Sequence, residues 1–296
     1  MSEGVGAKPS ETAMFAALRR ALAYKDHKGD CFGPDRFAEY FLPPHFRFFI
    51  KFRKIRENTK EKLNGFMPGL HEYMIARTAY FDELFVDALD REVPQIVLLG
   101  AGYDTRAYRF ENRNKGTKIF ELDIASTQAW KQKCIQKAKL PIPASVSFVP
   151  INFNADVLEN VLAEAGYDAD LPALFIWEGV SYYLQAESVH AMLVFVRDFA
   201  HAESRIAFDY VVPLTDENKN DFGVASFIET MRLEHGDEAL LFSIVDGGVE
   251  DFLKERGLKL IEHLDNKEIE DRFLMDHGVL LGQITAHFRF VIAKGM

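Results

Sequence analysis

The segment from Gln95 to Asp123 constrains this chain most. It holds an apolar run Ile96-Val97-Leu98-Leu99, a turn Gly100-Ala101-Gly102-Tyr103-Asp104-Thr105-Arg106, and a second run Lys118-Ile119-Phe120-Glu121-Leu122-Asp123. The order reads strand, glycine turn, helix, strand, acid. Glycines let the backbone turn sharply and approach a ligand closely, and a carboxylate about 20 residues further on, at the tip of the next strand, accepts hydrogen bonds from a ribose diol. The pattern predicts a nucleoside-cofactor site at the carboxyl edge of a sheet. A dinucleotide turn would continue Gly-x-Gly-x-x-Gly and present a helix N-terminus to a pyrophosphate. Here Thr105 stands at the third glycine position and Asp104 adds negative charge. An acid beside the turn repels a diphosphate and suits a cationic or zwitterionic ligand, and S-adenosylmethionine meets that requirement where NAD does not.

From residue 95 onward strand and helix patterns alternate. Strands are expected at 95–100, 118–122, 146–150, 173–178 and 204–212, with helices between them at about 126–138, 155–165 and 186–201. This rhythm implies an α/β fold with a parallel, doubly wound sheet. Two more strand candidates, 258–264 and 287–293, close the sheet. Residues 1–90 are expected to form a helical N-terminal lid, and residues 91–296 the cofactor-binding domain, which carries a lid-like insertion at about 213–243.

A length of 296 residues at 48% hydrophobic supports a full core. The net charge of −10 argues against sequence-independent nucleic-acid binding, which needs cations to neutralise phosphates, so a small-molecule acceptor is expected. Cys31 and Cys134 lie far apart with no paired metal-ligand spacing, and no metal site is expected. The apolar runs are strand-sized, with no signal-like N-terminal segment, and predict a soluble, cytoplasmic protein. One stretch stands apart: Arg47 to Lys62 is basic and carries Phe48, Phe49 and Phe52. It is read as a lid helix with a solvated basic face, contact with a membrane or an acidic partner being the alternative.

Several motifs occur in a fixed order: Ala76-Arg77-Thr78 with Phe81-Asp82, Val97 to Arg106, Phe120-Glu121-Leu122-Asp123, Val149-Pro150-Ile151-Asn152-Phe153, and Trp177-Glu178-Gly179-Val180 with Tyr183-Leu184. In these the chain resembles the leucine carboxyl methyltransferase family of class I S-adenosylmethionine-dependent methyltransferases, and within it the bacterial branch similar to polyketide carboxyl O-methyltransferases. Phe32-Gly33-Pro34-Asp35 and Phe41-Leu42-Pro43 resemble that branch too. The resemblance implies a seven-stranded Rossmann-like sheet whose last strand is antiparallel. It also implies S-adenosyl-L-methionine as cofactor and S-adenosyl-L-homocysteine as product. Arg77 then pairs with the methionine carboxylate, Gly100, Ala101 and Gly102 form the floor beneath the methionine moiety, and Asp123 holds the ribose hydroxyls. Glu121, two residues earlier on the same strand face, is a second candidate for the ribose, though the resemblance favours Asp123. Phe153 lies against adenine, Glu178 binds the α-amino group, and Tyr183 touches the acceptor. Asn152 departs from the pattern, because relatives usually carry an aspartate there to accept the adenine amine; asparagine accepts without the charge-assisted component.

A carboxylate acceptor is already ionised at neutral pH and needs no general base, whereas a phenol or alcohol does. The nine histidines form no recognisable catalytic arrangement. An O-methyltransferase acting on a carboxylate of a small molecule is therefore expected. A hydroxyl acceptor, or a catalytically inactive cofactor-binding partner or regulatory protein for which Asn152 gives a foothold, are the competing readings.

Overall fold

The computed structural model describes residues 10–27, 33, 35–153, 155–235 and 240–296, so Cys31, Phe32 and Pro34 lie outside the described residues. Four helices precede the sheet: α1 (Glu11–His27), α2 (Pro44–Phe49), α3 (Arg53–Phe66) and α4 (Leu70–Asp90). Then come β1 (Gln95–Leu99), α5 (Arg106–Arg109), β2 (Lys118–Asp123), α6 (Ala125–Ala138), β3 (Val146–Pro150), α7 (Leu158–Glu164), β4 (Ala173–Trp177), α8 (Ala186–Asp198) and β5 (Arg205–Val211). After β5 the chain runs through α9 (Val224–His235), α10 (Val249–Lys254), β6 (Leu258–Leu264), α11 (Asn266–Phe273), the two-residue strands β7 (Met275–Asp276) and β8 (Val279–Leu280), and β9 (Phe288–Gly295).

Seven strands form one sheet in the order β3-β2-β1-β4-β5-β9-β6. The pairs among β1 to β5 are all parallel, and β9 runs antiparallel between β5 and β6. Every residue of β1 and β4 is buried, as continuous apolar runs covered on both faces require. Alternate side chains of β1 feed two separate cores. Ile96 and Leu98 join α1 and α4 through Leu22, Tyr80, Phe81 and Phe85, while Val97 and Leu99 join α8 through Val189 and Leu193. Helices α1 and α4 thus cover one face of the sheet together with residues of α6, α9 and α11, and α4 buries residues along its full length.

Chain order reverses between β1, which neighbours β2 on one side, and β4 on the other. In open α/β sheets ligands bind outside the carboxyl ends of the strands at such a switch point. The helix expected after the glycine turn is a single turn, α5, followed by a 3-10 turn at Glu111–Arg113. Its brevity has a largely tertiary cause: both of its arginines are drawn into ion pairs with Asp82 on α4, and the Arg106 N–H donates to Asp104 Oδ1 at 2.7 Å.

Candidate active site

A cavity of about 590 Å³ opens at the ends of β1 and β4. Arg77, Gly100, Ala101, Gly102, Asp123, Phe153, Glu178 and Tyr183 all line it, although they come from α4, the β1 turn, the tip of β2, the segment after β3 and the end of β4. A smaller cavity of about 400 Å³, beside Lys60, His71 and Glu72, shares no residue with the glycine turn.

The turn is built for close approach. Gly100 has φ +70°, and a Cβ there would lie 2.6 Å from Val180 Cγ2. The Gly102 N–H donates to Asp123 Oδ2 at 2.6 Å and the Ile124 N–H to Oδ1 at 2.7 Å, so the β2 carboxylate is clamped against the turn. Burial pushes the Asp123 carboxyl up, and these two N–H groups oppose the shift. Helix α1 braces the same turn: Arg20 donates to Tyr103 O at 2.7 Å and to Asp35 Oδ2 at 2.8 Å, and Asp35 Oδ1 accepts from the Thr105 hydroxyl at 2.8 Å.

Opposite the turn lies a chain of alternating charges. Glu178 accepts from Arg77 Nε at 3.0 Å through Oε1 and pairs with Arg106 Nη1 at 2.8 Å through Oε2. Arg77 Nη1 donates to Tyr182 OH at 3.2 Å and to Asp209 Oδ2 at 3.4 Å. Tyr73 donates to the same carboxylate, whose Oδ1 takes the Gly179 N–H at 2.6 Å. Gly179 is glycine for a steric reason: with φ +71°, a Cβ would sit 2.7 Å from Arg77 Nη1. Burial works against the Arg77 cation, yet the facing Tyr182, Glu178, Tyr73 and Asp209 push its pKa well above the ordinary value. Asp209 is fully buried and its carboxyl is pushed up by that burial, against the pull of Arg77. Arg106 in turn pairs with Asp82 at 2.9 Å and with Asp104, and Arg109 grips Asp82 at 2.5 Å and 2.6 Å.

Two residues weighed from the sequence are not in the cavity lining. Glu121 is 1% exposed and its Oε2 pairs with Lys131 Nζ of α6 at 2.6 Å. Asn152 is exposed and outside the cavity lining, in a turn where its N–H donates to Asp156 Oδ2 at 2.7 Å, so the neighbouring Phe153 reaches the cavity alone. Sequence reasoning also missed Tyr73, Arg106, Tyr182 and Asp209. A signal for Asp209 exists, since it is a lone carboxylate in the apolar strand Ile206-Ala207-Phe208-Asp209-Tyr210-Val211, and a buried charge must be paired.

Comparison with known proteins gives the family of the chain. The sequence pattern described as leucine carboxyl methyltransferase matches residues 13–197, well over half of the chain. A protein of Mycolicibacterium paratuberculosis is 29% identical over 245 residues, covering 79% of this chain and 76% of its own, and the YktD protein of Bacillus subtilis is 27% identical over 221 residues, covering 74% and 72%. Both are named, by inference, S-adenosyl-L-methionine-dependent methyltransferases. In fold, the chain is similar to a crystal structure from Thermobifida fusca named, also by inference, a methyltransferase, with a TM-score of 0.61, 15% identity, and coverage of 97% and 95%. The chain belongs to the leucine carboxyl methyltransferase family, whose members draw their methyl group from S-adenosylmethionine.

Proposed function

We propose that this methyltransferase esterifies a carboxylate of a small molecule. The observation that carries the reading is the state of the ionisable groups around the cavity. Asp123 is held by two N–H groups, Glu178 by two arginines and Asp104 by Arg106. Burial pushes the Tyr183 hydroxyl up to about 12 and those of Tyr73 and Tyr182 well above their ordinary value, so none of the three is a base at neutral pH. Glu11 lies exposed at the rim, and among the described residues no histidine lines the cavity. An acceptor that arrives already ionised suits such a site, and a carboxylate does.

The residues present fit the cofactor. The floor at Gly100 to Gly102 takes the methionine moiety, Asp123 offers its remaining lone pairs to the ribose, and Phe153 lies against adenine. The Glu178 carboxylate receives the α-ammonium group. Arg77 has Nε and Nη1 committed, which leaves Nη2 for the methionine carboxylate, a single contact in place of a bidentate grip. When bound, S-adenosylmethionine supplies an electrophilic methyl on a sulfonium. The chain's own part is alignment and exclusion of water, since opposite charges that cancel in the transition state gain from a dry pocket. Met67, Leu70, Met74, Phe227 and Met231 supply that apolar wall from the N-terminal helices and from α9 in the 213–243 insertion, which together serve as the lid.

The test is the lability of the product. Purified protein is incubated with S-adenosylmethionine and a panel of small carboxylic acids with matched phenols and alcohols, and methylated products are treated with alkali. Methyl esters release methanol, whereas a methyl ether that survives the treatment assigns the enzyme to hydroxyl acceptors and overturns the reading.

A further inference from the structure

The buried arginines Arg77, Arg106, Arg109 and Arg289 each pair with a carboxylate, but Arg19 does not. It lies on α1, 1% exposed, and Nε, Nη1 and Nη2 are all buried without a hydrogen-bond partner. Guanidinium groups carry five donors in a fixed fork, and a buried one without acceptors keeps the full cost of leaving water. The Phe15 ring lies 4.6 Å from the Arg19 Cζ, one turn earlier on the same helix. Phe15 is itself 37% exposed and also lines the cavity. Burial lowers the Arg19 pKa to about 10, with Glu72 acting in the opposite direction, and the side chain stays cationic at neutral pH. Glu72 makes no hydrogen bond to it; burial pushes that carboxyl up, towards its neutral form.

Arg19 also lines the large cavity, whose lining includes Met67, Leu70, Met74, Phe227 and Met231. A chamber of sulfur, aliphatic and aromatic surface with one unsatisfied cation selects a particular chemistry: an apolar body bearing an anion. We infer that Arg19 is the receptor for a carboxylate on the methyl acceptor, and that the acceptors are lipophilic acids whose hydrocarbon part fills the Met67–Met231 wall. The inference rests on the methyltransferase reading of the cavity and specifies the acceptor class within it. A fork of N–H donors matches a planar carboxylate. Rejection of an uncharged analogue follows because it would leave the guanidinium as unpaired as before.

The experiment separates the two levels. With S-adenosylhomocysteine saturating, wild-type protein is titrated calorimetrically with 3-phenylpropionate and decanoate and with the corresponding primary amides. At least one acid is expected to bind tenfold or more tightly than its amide. That preference should vanish in Arg19→Met, which keeps the stem volume, and persist in part in Arg19→Lys, with the affinity for S-adenosylhomocysteine equal in all three proteins. Absence of any acid preference in the wild type, or its survival in Arg19→Met, overturns the assignment, as does a parallel loss of S-adenosylhomocysteine binding in the variant. Failure of the wild type to bind S-adenosylhomocysteine at all would instead strike the cofactor reading beneath it.

Discussion

Glu178→Gln isolates the proposed contact with the cofactor's α-ammonium group, because the surrounding charges tolerate it. Glutamine keeps the shape and one acceptor oxygen but removes the charge. Arg106 retains Asp82 at 2.9 Å and also Asp104, and Arg77 retains Asp209 at 3.4 Å, so neither arginine is left without a carboxylate. The fold should therefore lose only about 1–3 kcal/mol, the scale of one hydrogen bond to a charged group. Arg77→Ala is a worse probe, since it strips a partner from both Glu178 and Asp209, and breaking a buried pair costs about 3–5 kcal/mol. Glu178 is 12% exposed at the cavity, where solvent screens the interaction only slightly. Exchanging a charge-assisted bond for a neutral one there should cost about 1–2 kcal/mol, or roughly 5–30-fold in the Kd for S-adenosylhomocysteine. The control ligand is 5′-methylthioadenosine, which lacks the amino-acid part and should bind wild type and variant alike. Calorimetric titration of both ligands, alongside a thermal melt, decides the matter. Equal losses for the two ligands would mean that Glu178 merely supports the site, and an unchanged Kd for S-adenosylhomocysteine would refute the contact.

Asp123→Ala should weaken both ligands equally, by about 1–3 kcal/mol, because the ribose is common to them, and a loss confined to S-adenosylhomocysteine would misplace the residue. Asn152→Asp, at an exposed position outside the cavity, should change cofactor affinity by less than about 0.5 kcal/mol in a titration, and clear tightening would restore its adenine role. Lys131→Met strands Glu121 without its partner and should cost about 3–5 kcal/mol in a urea melt while leaving the Kd for S-adenosylhomocysteine unchanged. Burial pushes His71 and His287 down to about 3, so between there and their ordinary range the unfolded chain binds more protons and stability falls as pH falls. Each histidine contributes a slope of up to about 1.4 kcal/mol per pH unit, and His287→Leu should flatten the decline measured by urea melts between pH values of about 7 and 4.

The parts of this molecule legible in its sequence were those where local chemistry is decisive. Gly100 and Gly102 adopt positive φ and Asp123 meets the turn, because a strand, a tight turn and a strand tip leave few other arrangements for that spacing. Uniformly apolar β1 and β4 announced a sheet covered on both faces, and the alternating helices announced parallel pairing. What escaped were choices made by neighbours distant in sequence. Glu121 and Asp123 share a strand face, and only Lys131, ten residues on, decides that the first is a structural ion and the second faces the cavity. Arg77 and Glu178 were identified separately as binding groups, but their direct contact, 101 residues apart, was invisible, and so was the sharing of Glu178 with Arg106. Helix α5 failed for the same reason: Asp82 claims both of its arginines from another element.

These long-range pairs bear on how the site comes into being. Arg77 and Asp82 project from α4 and Arg20 from α1, yet their partners Glu178, Arg106 and Tyr103 O belong to the sheet's switch-point loops. The same two helices bury Leu22, Tyr80, Phe81 and Phe85 against one face of the sheet. A chain beginning at β1 would uncover the part of that face they cover, leave Asp209 without Arg77 and Tyr73, and leave Glu178 and Arg106 with only each other and Asp104. The strands alone carry the glycine turn and the proposed ribose acid, but the proposed grip on the amino-acid end of the cofactor needs Arg77, which α4 brings. Binding of S-adenosylhomocysteine should therefore protect amides of α4 from hydrogen exchange together with those of the β1 and β4 turns, as expected of groups that open as one cooperative unit.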